Sequence, residues 1–163
     1  MGTDAKTDGR FYFEDVEVGK VNAYGRYEVT REEVMEFASK YDPQPFHLDD
    51  AAAADTHFGK LSASGWHTAS MVMRMMVDNF KAIRQAGLGS PGVDKLLWPM
   101  PVFPGDILRC EAVTKSKRRS KSRPEMGLLD GEVKAFNQND ECVLIMESVG
   151  LIEVRDVDVP VEK

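Results

Sequence analysis

The chain has 163 residues, 42% of them hydrophobic and 29% charged, with a formal net charge of −6. That is the size and composition of one soluble globular domain, with no room for a second full one. No apolar run approaches the roughly 18 residues a membrane-spanning helix needs, and the acidic balance opposes non-specific attraction to nucleic acid.

The opening Met-Gly-Thr-Asp-Ala-Lys has no apolar core and no small-residue cleavage site, and its sixth position lacks the Ser or Thr of a myristoylation signal. A cytoplasmic location is the expectation. There are no repeats and no Gly/Ser-rich or Pro-rich linker, so the reading is a flexible 1–10, one domain over 11–156 and a tail over 157–163. Residues 11–19 read as an extended lead-in ending on Gly19, and 22–29 as a strand.

Thr30 with Glu33 has capping-box spacing, and Val34, Phe37, Ala38 and Tyr41 follow at helical intervals, which predicts a helix over 31–41. Pro43 and Pro45 forbid its continuation. Asp42 therefore falls at the helix C-terminus, and His47 at the far side of a proline-shaped turn. Residues 49–56 predict a short helix capped by Asp49 or Asp50. From Gly65 to Ile83, Trp66, Ala69, Val72, Met73, Met76, Val77 and Phe80 keep a broad apolar face, predicting the longest and most buried helix. Its methionines read as core filler.

Beyond Gly87–Gly92 the pattern turns to strands at 107–116, 126–138 and 141–154, with turns at Pro104-Gly105-Asp106 and Asn137–Asp140. The order predicts an α+β domain, one long helix packed on an antiparallel sheet. Cys110 and Cys142 sit in apolar stretches and read as small core residues. With no CxxC and no His-x-x-x-His, no metal site is expected. Against the acidic balance, Lys115, Lys117, Arg118, Arg119, Lys121 and Arg123 place six positive charges within nine residues. They form either a solvated hairpin loop or a site for a polyanionic small molecule.

Asp42-Pro43-Gln44-Pro45-Phe46-His47-Leu48-Asp49 resembles the hydratase signature of MaoC-like dehydratases and (R)-specific enoyl-CoA hydratases, with Gln44 at the usual asparagine position. Ala63-Ser64-Gly65-Trp66 is similar to the His-Gly-Met that opens that family's central helix, with Ser64 and Trp66 as departures. Pro101-Val102-Phe103-Pro104-Gly105-Asp106 looks like its Pro-Val-x-x-Gly-Asp strand lead, and Ser120-Lys121-Ser122-Arg123-Pro124 like its Ser-x-Ser-x-Pro hairpin. The resemblance spans roughly residues 20–152 and implies a single hot-dog domain, a sheet wrapped around one central helix.

It also implies a chemistry. Hydrating a 2-enoyl thioester needs a group to activate water, a proton for C2 and a stabiliser for the thioester oxygen. Asp42 and His47 would hold and activate one water, given a burial-raised aspartate pKa, and the sequence leaves open which is acid and which is base. The Gly65 amide at the helix N-terminus would stabilise the oxyanion, with Ser64 and Trp66 near the substrate. Arg119, Lys121 and Arg123 would meet the phosphates of coenzyme A, which is part of the substrate; no separate cofactor is expected. The family pairs two units, so at least a homodimer is expected. His57 and His67 read as structural, although His67 follows Gly65 closely enough to line the site. Two alternatives stand: a hot-dog thioesterase, for which the long helix offers only Asp78, and a non-catalytic acyl-CoA-binding protein.

Overall fold

A computed structural model describes residues 6–158. Strand β1 (Val21–Glu28) leads to α1 (Arg31–Tyr41), a 3-10 turn at Pro45–His47, the short α2 (Asp50–Ala54) and the long α3 (Gly65–Ala82). Then come β2 (Gly87–Gly89), β3 (Val93–Leu97), β4 (Ile107–Arg119), β5 (Met126–Phe136) and β6 (Cys142–Glu153). All strands form one antiparallel sheet in the order β1-β4-β5-β6, with β2 and β3 both paired to the far side of β6. The sheet curls around α3, which lies against β1 and β4. This is the hot-dog fold, as expected. Among the described residues no helix is long and apolar enough to cross a membrane.

The helix starts follow from side-chain acceptors. Thr30 Oγ1 accepts from the Glu33 amide at 3.3 Å and Asp49 Oδ1 from the Ala52 amide at 2.8 Å, each satisfying an orphan donor. The expected capping box stays half-made, because the Glu33 carboxylate accepts from the Tyr27 hydroxyl. On α3, Met71, Val72 and Met75 join Leu108 and Cys110 of β4, Val133 of β5 and Leu144 of β6 in one core. Burial pushes the Cys110 thiol up to about 12, as befits a small core residue.

The buried face of α3 differs in part from the expected one. Val72 is buried and Ala69 and Met76 pack on the core as expected, but Trp66 and Met73 are 60% and 44% exposed and Thr68, Met71 and Met75 are buried instead. The helix is apolar on more than one side, so its period alone does not say which side meets the sheet. The basic segment also differs. β4 continues through it to Arg119, leaving only residues 120–125 as the hairpin tip. Lys115 pairs with Glu132 and Glu147, and Lys117 donates to the Phe13 and Val16 carbonyls. Residues 11–19 are not extended throughout: a 3-10 turn at Phe13–Asp15 follows the fully buried Tyr12. Within the expected flexible terminus, Lys6 and Arg10 both reach Glu153, at 2.7 and 3.0 Å.

Candidate active site

Asp42 is the C-cap of α1, where its amide still donates to Ala38. Pro43 bars a further helical turn, and the Gln44 amide closes back on the Asp42 carbonyl at 2.8 Å. That tight reversal brings the Gln44 side-chain amide to Asp42 Oδ1 at 2.7 Å. The other carboxylate oxygen, Oδ2, accepts from the Ser64 hydroxyl at 2.6 Å. Burial by itself would raise the Asp42 pKa. The hydrogen bonds from Ser64 and Gln44 and the proximity of His47 outweigh it, and the carboxyl is held below its ordinary value. This corrects the expected direction: Asp42 is a carboxylate at neutral pH, stabilised as such.

His47 ends the 3-10 turn and is 4% exposed. Its Nδ1 lies 2.7 Å from the Ser62 carbonyl oxygen, which can only accept, so Nδ1 carries the proton. In the neutral imidazole Nε2 is then a bare acceptor, facing Asp42 Oδ2 at 3.5 Å. That distance exceeds a direct hydrogen bond. Two acceptors so placed are bridged by a molecule donating to both, and water is the smallest that does.

Both side chains line a cleft of about 480 Å³ with Gly65 at its edge and walls that include Phe46, Phe58, Trp66, Trp98, Met100 and Val102. Ser64 is the N-cap of α3; its Oγ accepts from the Trp66 amide at 3.3 Å, and its carbonyl accepts from the Thr68 amide. The Gly65 amide is the first of the helix and has no intrahelical acceptor, so it is available to an anionic oxygen. The Val102 carbonyl fixes the approach to this terminus by accepting from the Ala63 amide at 2.8 Å. A Cβ on Gly65 would lie 2.7 Å from the Trp98 ring, so glycine is what lets the indole close over the helix start.

The structure thus brings together Asp42, His47, Gly65 and Trp66, and reassigns Ser64. Ser64 is fully buried and spent on Asp42 and the helix cap, so it positions the carboxylate rather than touching substrate. Arg119 is also reassigned: it is 9% exposed and donates to the Pro124 and Val157 carbonyls. Lys121 and Arg123 are exposed at the hairpin tip. That tip lies beyond the end of the 13-residue β4 whose other end adjoins Asp106, on the order of 40 Å along the strand. Neither is among the residues that line the cleft. His57 lines it, whereas His67 opens into a different one. Sequence reading missed the part of Gln44, whose only signal was its unusual place in the signature.

Replacing Ser64 with Ala removes one cap, worth about 1 kcal/mol, and one hydrogen bond that holds Asp42 ionised. The expected outcome is a lower melting temperature by calorimetry. Because the Ser64 hydrogen bond holds the Asp42 pKa down, its loss should raise that pKa, read by NMR titration of the carboxyl carbon.

The chain belongs to the MaoC-like domain family, whose profile matches residues 15–134. It is similar to the MaoC-like dehydratase from Rhodospirillum rubrum, with a TM-score of 0.82 and 36% identity over 89% of this chain and 98% of that one. A 3-hydroxybutyryl-CoA dehydratase of Methylorubrum extorquens is 30% identical over 152 residues, covering 85% of this chain and 93% of the relative. The uncharacterized protein YdeM of Bacillus subtilis (strain 168) is 25% identical over 138 residues, covering 83% and 94%.

Proposed function

We propose that the protein is a hydro-lyase that hydrates a trans-2-enoyl-CoA (R)-specifically or dehydrates the corresponding 3-hydroxyacyl-CoA. The observation carrying this reading is the Asp42 and His47 acceptor pair, 3.5 Å apart and lining the same cleft as the Gly65 amide. A water between them donates one proton to Asp42 Oδ2 and one to His47 Nε2. Its oxygen attacks C3 as Nε2 takes a proton, while the Asp42 carboxylate steadies the resulting imidazolium. Charge passes to the thioester oxygen, which the Gly65 N–H receives. Nε2–H then protonates C2 on the same face, which completes a syn addition of one water. The dehydratase activity named for the Methylorubrum relative supports the reaction class.

The thioesterase alternative asks for a carboxylate from α3. Asp78 pairs with Arg74 at 2.9 Å and lines a separate groove, away from the cleft. A continuous assay with crotonyl-CoA and a panel of longer and branched enoyl-CoAs tests the reading. Loss of enoyl absorbance without free thiol is expected. Thiol release would establish a thioesterase, and silence across the panel a binding protein.

The active unit is a homodimer in this reading. β3 pairs only with β6 among the described residues, and an open sheet edge is a template for another strand. Val93 and Leu97 on that strand, Trp98 and Met100 beyond it, and Trp66 and Met73 on α3 are all exposed. Trp66, Trp98 and Met100 of this set also line the cleft, and exposed apolar side chains beside an open strand suit a second copy. Light scattering is expected to give twice the chain mass. Val93→Asp, which sets a charge on the open strand, is expected to shift the mass to that of one chain.

A further inference from the structure

Gly65 serves the cleft in two ways. Its amide has no intrahelical acceptor, and its missing side chain leaves room for Trp98. A Cβ on Gly65 would lie 2.7 and 2.8 Å from Cε2 and Cδ2 of the indole and 3.1 Å from Cζ2. Cε2 and Cδ2 share the bond that fuses the two rings, so the indole turns its face, not its rim, toward Gly65. In an α-helix the Cα–Cβ direction leans toward the N-terminus, which is also where the N–H groups point. Trp98 therefore stands beside the space in front of the Gly65 amide.

The indole is held in that place. Trp66, the next residue of α3, meets it with ring centroids 5.4 Å apart and the planes at 75°, an edge contact. Pro99 and Pro101 restrict the backbone that follows it. The same segment is anchored by Val102, which is 2% exposed and whose carbonyl accepts from the Ala63 amide. Asp42 and Trp98 bound the cleft from two directions: the Ser64 side chain turns to the one, and the side-chain position of Gly65 to the other.

We propose that Trp98 is a specificity-determining residue that restricts the cleft to acyl thioesters unbranched at C2. The proposal rests on the reading of the cleft as an acyl-CoA site with the Gly65 amide as donor to the thioester oxygen. C2 is then one bond from the carbonyl carbon, in the space beside the indole. An unbranched chain lies along the ring face. A methyl branch at C2 has to displace the ring, which Trp66 and the two prolines oppose. One carbon more or less against an apolar wall is worth on the order of tenfold in discrimination.

Butyryl-CoA and isobutyryl-CoA test this. They are isomers that differ in the branch at C2, and both are saturated without a 3-hydroxyl group, so neither is hydrated or dehydrated. Calorimetric titration of the full chain is expected to show butyryl-CoA bound about tenfold more tightly or better. Trp98→Ala should remove most of that preference, and Trp98→Phe should keep it. A role in folding alone would weaken both thioesters alike and leave their ratio unmoved. Equal affinities in the wild-type chain, which needs no variant to fold, would overturn the proposal, as would the full preference in a folded Trp98→Ala protein. Failure to bind either thioester would remove it together with the acyl-CoA reading. A preference for butyryl-CoA in a chain that leaves every enoyl-CoA unhydrated would keep the assignment and remove the hydro-lyase reading; hydration without the preference would do the reverse.

Discussion

Asp42→Asn is expected to lower kcat by about 10³-fold, within the usual range for loss of a general acid–base group, while leaving the fold intact. The asparagine carbonyl can still accept from Ser64, so the cap of α3 and the reversal at Pro43 survive. The new side-chain NH2 group then takes the Oδ1 position, where the Gln44 side-chain amide donates in the native chain, and two donors meet. The oxygen left beside His47 Nε2 is a neutral amide acceptor, which holds the water less strongly and no longer steadies an imidazolium. Stopped-flow or steady-state rates on the best enoyl-CoA, with circular dichroism as the fold check, measure the effect. His47→Gln should cost about as much, and the double variant little more, because the pair acts as one unit. An Asp42→Asn enzyme with more than a tenth of native kcat would sink the mechanism.

Gly65→Ala is expected to cost both stability and turnover. The added Cβ would lie 2.7 and 2.8 Å from two atoms at the centre of the Trp98 indole, too close for the ring to stay. Overpacking of this kind costs about 1–3 kcal/mol. The gain from replacing glycine within a helix is at most about 1 kcal/mol, so the net change is destabilising. Displacing Trp98 also opens the cleft wall over the Gly65 amide, the proposed oxyanion donor, and kcat/KM should fall about 100-fold. Adding Trp98→Ala separates the two effects. Denaturant unfolding should show much of the lost stability restored, while kcat/KM stays low because the wall is missing.

The reach of the sequence differs from one part of the molecule to another. α1 was legible to the residue, since Thr30 supplies its cap and Pro43 and Pro45 its end. Both are local signals that need no partner. The places of Asp42, His47 and Gly65, at the end of α1, in the proline turn and at the start of α3, were legible from neighbouring prolines and glycine, whereas their grouping as a candidate site rested on the resemblance of their segments to the MaoC-like signature. The basic stretch misled because charge along a segment says nothing of what lies beside it. Lys115 finds its carboxylates on β5 and β6, and Arg119 its carbonyls at Pro124 and Val157.

The element order, the α+β class and the residues at the two ends of the turn all follow from local chain chemistry. Folding in three dimensions settles the rest: which face of α3 is buried, that Ser64 and Gln44 clamp Asp42 as a carboxylate, and that His67 belongs to a second cleft. Each of these depends on residues distant in the chain, or on whole elements, meeting in space. Ser64 lies 22 positions from Asp42, and their hydrogen bond exists only because the fold sets the start of α3 beside the end of α1.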